Sequence, residues 1–117
     1  MTKAQVHEQD GVTVLDFGPG PHNLDETALL RVQDQILEAS NVDPPLLVVD
    51  LSQVTFFGSS FIETLFRLWS RLNRRQGKFA LCGLSPYCQE VIEVTNLNTL
   101  WTISDTREEA ITAVKMN

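Results

Sequence analysis

Most of the residues on which enzyme sites are built are scarce in this chain. Of 117 residues, two are cysteine, two histidine and one tyrosine. Cys82 and Cys88 form no CxxC pair, and with no signal peptide they read as reduced, cytosolic thiols packed as small apolar side chains. With His7 and His22 they are too scattered to hold zinc. A serine hydrolase needs a histidine partner and a GxSxG elbow, which Gly58-Ser59-Ser60-Phe61 does not supply, so both histidines read as surface residues without a role. Walker A and GxGxxG patterns are missing. A phosphoacceptor Asp50 would need an acidic pair to bind a divalent cation; Asp16 stands alone within a strand pattern, and no lysine directly follows the last strand, Lys115 lying near the C-terminus of the final helix. No catalytic residue, metal site or cofactor is expected.

No run approaches the roughly 18 apolar residues of a membrane span, so no membrane insertion is expected. Basic residues are the minority: nine Lys and Arg against fifteen Asp and Glu leave a net charge of −6. That balance argues against nucleic acid or an anionic membrane as partner. Repeats and low-complexity tracts are also missing. What remains is an ordinary apolar fraction of 43%, enough for one globular domain over residues 1–117.

The pattern that is present alternates strands and helices. Val6–Glu8 and Val12–Phe17 flank the turn residues Gln9-Asp10-Gly11, which predicts an opening hairpin. Gly18-Pro19-Gly20-Pro21 breaks regular structure. Asn23, with Glu26 three residues on, is the expected cap of a first helix whose face is Leu24, Ala28, Leu29, Val32, Ile36 and Ala39. Leu46–Leu51 is a near-continuous apolar run, the mark of a central strand. The next helix buries a stripe of Phe61, Ile62, Leu65, Phe66, Leu68, Trp69 and Leu72, ending at Gly77 as a left-handed cap. Phe79–Gly83 reads as a strand, Ser85-Pro86 opens a helix to about Thr95, Leu100–Ile103 is a final strand, and Ser104 or Asp105 caps a last helix. The order β-β-α-β-α-β-α-β-α implies an α/β fold with a mostly parallel sheet, an N-terminal hairpin and about four helices.

The turn after Asp50 leads to the serine pair. Ser60-Phe61-Ile62-Glu63 has the form of a capping box, so Ser60 is expected at the N-cap, with Ser59 just outside it. Gly58 gives backbone access, and Asp50 is expected to organise the loop before Ser59. A helix start favours an anion. Ser59 is therefore either a cap or a switch: phosphorylation would add a charge of about −1.5 to −2 at little cost to the domain. Arg67, Arg71, Arg74 and Lys78 fall at helical spacing, either as a solvated face or as a docking stripe for an acidic protein surface.

Val49-Asp50-Leu51-Ser52-Gln53-Val54-Thr55-Phe56 with Ser59-Ser60, and then Gly77 through Pro86, resemble the STAS domain of bacterial anti-sigma factor antagonists, with its DLS-x-V-x-F-x-DSSG core and G-x-x-L-x-L-x-G-x-x-P segment. Leu24-Asp25 is similar to the family's G-x-L-D. The resemblance implies a single STAS-like domain that binds an anti-sigma factor serine kinase in the cytoplasm. It further implies a phosphoacceptor at Ser59, reset by a metal-dependent serine phosphatase, and an interface including Ser60 and the Asp25 loop. Gly58 stands where the family has aspartate and Phe61 where it has glycine; Phe61 either shields the acceptor or turns into the core. The other implied role is a non-phosphorylated accessory subunit of a stress-signalling assembly or of a lipid-transport ATPase, acting through the helix face.

Overall fold

A computed structural model describes residues 3–116. The opening hairpin pairs β1 (Gln5–Gln9) with β2 (Val12–Asp16). Its turn residues Asp10 and Gly11 both take positive φ, 54° and 79°, the backbone sense that lets a two-residue loop follow the strand twist. The remaining elements are β3 (His22–Leu24), α1 (Glu26–Glu38), β4 (Leu46–Asp50), β5 (Val54–Phe57), α2 (Ser59–Arg74), β6 (Lys78–Cys82), α3 (Pro86–Val94), β7 (Thr102–Ser104) and α4 (Arg107–Lys115).

The main sheet has the order β1-β2-β4-β6-β7, with β1 the antiparallel edge and the other pairings parallel. β4 lies at its centre, and Leu47, Val48 and Val49 are fully buried, as the unbroken apolar run predicts. The two-residue side-chain period splits the strands between two cores. Leu15, Leu47, Val49 and Leu81 face α1, α2 and α3. Val14, Val48, Ala80 and Cys82 face Ala110, Ile111 and Val114 of α4.

Several expectations shift. β3 and β5, read from the sequence as loop and turn, pair in parallel as a second, two-stranded sheet. The last strand is Thr102–Ser104, because Leu97–Thr99 forms a 3₁₀ turn and Trp101 packs into the core. Asn23 lies in β3; the cap of α1 is Asp25, whose carboxylate accepts from the N–H of Ala28 at 2.9 Å. Thr106, not Ser104 or Asp105, caps α4. Lys78 opens β6 and so leaves the arginine face of α2. Gln76, not Gly77, takes the left-handed φ of 59°. Gly77 is needed for another reason: a Cβ there would stand 2.3 Å from the carbonyl oxygen of Pro45. Phe66, expected in the buried stripe, is 43% exposed; Thr64 takes a buried place instead.

Candidate functional site

The path to the serine pair is fixed hydrogen bond by hydrogen bond. β4 ends at Asp50, whose Oδ1 accepts from the Ser52 N–H at 2.9 Å. The Val54 N–H then donates to Leu51 O at 2.9 Å, closing a tight turn into β5. β5 runs beside β3, with Leu24 opposite Phe57, and the Gly58 N–H donates to Leu24 O at 3.2 Å. The helix that follows is anchored by Phe57, Phe61 and Leu65, all essentially buried. Phe61 packs against Phe57 and Phe17 at ring-centroid distances of 5.3 and 6.2 Å. Its ring therefore turns into the core and does not shield the neighbouring hydroxyls.

The N-cap of α2 is Gly58, not Ser60: its carbonyl accepts from Phe61 and Ile62, and no side chain caps the helix. The helix begins at Ser59, two residues earlier than a capping box at Ser60 requires. Ser60 lies inside the first turn and its hydroxyl donates to Glu26 Oε1 at 3.1 Å. Ser59 is exposed, and its hydroxyl meets no hydrogen-bonding partner among the described residues. Gly58 has an extended backbone, φ −94° and ψ 178°, which any residue can adopt. A Cβ there would meet nothing within 4 Å.

Two features flank Ser59. On one side the starts of α1 and α2 lie together, with exposed Asp25 and Glu26. On the other, Phe56 and Tyr87 stack at 5.2 Å, Tyr87 being 47% exposed. The start of α3 is fastened there by Ser85, whose hydroxyl caps the helix and donates to Thr55 O at 3.3 Å.

The arginines extend away from this point. The helical rise puts Arg67 about 12 Å and Arg74 about 22 Å along the axis from Ser59. Arg67 and Arg74 are exposed, whereas Arg71 donates to Leu37 O at 3.5 Å and Arg75 to Ser40 O at 2.7 Å. The last two thus tie α2 to the C-terminal end of α1, where carbonyls and the helix dipole favour a cation.

Asp50 also takes part in a network that motif reading does not reveal. Arg107, at the start of α4, donates from Nε to Asp50 at 2.8 Å and from Nη2 to Asp16 at 3.0 Å. His7 Nε2 lies 2.9 Å from the same Asp16 oxygen. Asp16 is therefore not alone, and His7 is not without a role. Burial opposes ionisation of Asp50, but hydrogen bonds from Ser52 and the guanidinium of Arg107 outweigh it and hold the carboxyl below its usual range. Asp16 behaves likewise: burial is offset by His7, the Gly18 N–H and Arg107. Burial, and next the charge of Asp50, push the Cys82 thiol up to about 12. The signal for this network was the recurrence of Asp at two strand ends; its arginine partner is 57 residues from Asp50. Among the described residues, no His, Cys, Asp and Glu cluster is placed to hold a metal. No helix among them is long and apolar enough to cross a membrane.

Comparison with known proteins places the chain among similar folds. The model of the STAS domain matches residues 3–110. An anti-sigma-factor antagonist (STAS) domain protein from Planctomyces limnophilus is 39% identical, covering 97% of this chain and 99% of that one, with a TM-score of 0.91. An anti-sigma factor antagonist from Mycobacterium paratuberculosis is 27% identical over 99% of this chain and 96% of its own, with a TM-score of 0.86. A Bordetella bronchiseptica protein provisionally named anti-sigma factor antagonist BtrV is 28% identical over 69 residues, which span 59% of this chain and 60% of that relative.

Proposed function

The chain belongs to the STAS domain family, and we propose that it is a cytoplasmic anti-sigma factor antagonist: a regulatory binding protein, not an enzyme, switched by phosphorylation of Ser59. The observation that carries this reading is the setting of Ser59. Its hydroxyl is exposed and uncommitted, at the first residue of a helix anchored by a buried aromatic cluster. A phosphate there would lie at the favourable end of the helix dipole and disturb no internal hydrogen bond.

The departures from the family pattern leave this setting open. Phe61 is turned away, and Gly58 removes a carboxylate without changing the course of the backbone. In the unmodified state the Ser59 face, with Asp25 and Ser60 on one side, would bind an anti-sigma factor serine kinase. Phosphorylation would add charge beside Asp25 and Glu26, with no arginine within two turns along α2. With no arginine of α2 to neutralise it, the phosphate would oppose a docked partner by repulsion and desolvation. A metal-dependent serine phosphatase would restore the binding form.

Incubation with an anti-sigma factor kinase from the same genome and Mg·ATP, read by intact mass, tests this. One added phosphate is expected, lost in Ser59→Ala and retained in Ser60→Ala. Capture of the kinase should fall when the phosphate is present. No phosphate on the wild-type chain, together with partner capture that depends on Arg67 or Arg74, would instead support an accessory-subunit role.

A further inference from the structure

We propose that the outer face of α1 and α2 is a homodimer interface, closed by a second copy of this chain about a two-fold axis crossing α2 near Leu65. The two helices run parallel and in step. Ser60 meets Glu26 at one end and Arg71 meets Leu37 at the other, with the same sequence offset of 34 residues. Between them lies a groove of about 560 Å³. Its floor is buried Leu29, and its walls carry Leu30 and Phe66, which are 76% and 43% exposed. Large apolar side chains in a groove with a polar rim mark an interaction surface.

The rim charges select the occupant. Glu63 and Arg67 stand one turn apart on α2, and both line the groove. Glu followed by Arg at this spacing ordinarily favours an intrahelical pair, yet neither residue is in an ion pair among the described residues. Both heads are left for an outside group. A two-fold axis in the plane of this face, perpendicular to α2, turns the helix end for end against its mate. Each Glu63 then faces Arg67 of the second copy, twice over. The 34-residue offset sets Leu30 level with Thr64, one residue from the axis, so Leu30 packs against its own mate. This is the reciprocal pattern of an isologous contact, in which one patch is complementary to itself.

Two turns of two helices make a small footprint, so the dimer is weak, with a micromolar or higher dissociation constant. It covers Ser60 and Glu26, next to Ser59, so self-association and docking of another protein there exclude each other. The inference stands without any phosphorylation.

Sedimentation velocity across micromolar to millimolar concentrations provides the test, with far-UV circular dichroism confirming that each variant is folded. The wild-type chain should dimerise with concentration. Leu30→Asp, Glu63→Arg and Arg67→Glu should each weaken the dimer roughly tenfold or more. An equimolar mixture of Glu63→Arg and Arg67→Glu should recover dimers, since every cross-pair is then of opposite sign. A wild-type chain that stays monomeric throughout overturns the proposal and leaves the groove to a different protein. So does a dimer that tolerates all three substitutions, or a mixture that gains nothing.

Discussion

Arg107 does more for this fold than its place on an exposed helix suggests. Its guanidinium is shared by Asp16 and Asp50, whose side chains are 16% and 7% exposed. Removing it leaves two partly desolvated carboxylates without their shared guanidinium, Asp16 keeping only its contact with His7 and the Gly18 N–H. Arg107→Met should cost about 3 kcal/mol in urea unfolding at neutral pH, the lower end for a broken buried ion pair. The pH dependence carries a sign. Asp50 and Asp16 have folded pKa values below their ordinary 3.8. Their contribution is therefore present above that value and is lost as pH falls below it, through the depressed folded pKa values. In Arg107→Met, Ser52 still donates to Asp50, and His7 and the Gly18 N–H still hold Asp16, but burial of both carboxylates loses the counterweight they share, so acid unfolding should begin at a higher pH. Unfolding curves recorded across pH for both proteins would show the displacement; superimposable acid limbs would contradict it.

At the scale of elements, two glycines that look alike in the sequence lead to opposite expectations. Gly58 is extended and open, so Gly58→Asp should fit and supply the missing side-chain cap of α2, a gain of a few tenths of a kcal/mol, about 0.5 at most. Gly77 stands against the Pro45 carbonyl, a backbone atom that cannot swing away. Gly77→Ala should cost about 2 kcal/mol, in the range of an overpacked core. Thermal melts of the two variants should move in opposite directions. The long periodic elements were legible: α1, α2 and the β4 run follow directly from their apolar spacing, and Ser85-Pro86 marks the start of α3 as written. Short elements were not. His22–Leu24 and Val54–Phe57 are strands because they pair with each other across the 29 residues between them, and no local pattern reports that. Three of the four helix N-caps lie one or two residues from their expected positions: at α1 and α4 neighbouring polar side chains are all competent caps and tertiary packing selects among them, while α2 starts at Gly58 with no side-chain cap at all. The position of Ser59 could be read from its motif, while the inward turn of Phe61 required the packing around it.

For the molecule as a whole, the sheet is covered unequally. α1, α2 and α3 share one face, and α4 alone lies on the other. The centre of the sheet, covered on both sides, should be its most protected part. In native-state hydrogen exchange the amides of Val48, Val49, Ala80 and Leu81 should exchange slowest, and those of β1 and β7 at the edges much faster. Equal rates across the strands would contradict this arrangement. The unequal covering also bears on how the chain is made. Val14, Val48 and Ala80 have no shelter until Arg107–Lys115 has been synthesised and has swung back onto them. A ribosome paused before that helix emerges would hold a nascent sheet finished on one side and greasy on the other, the state in which a chaperone would be most needed.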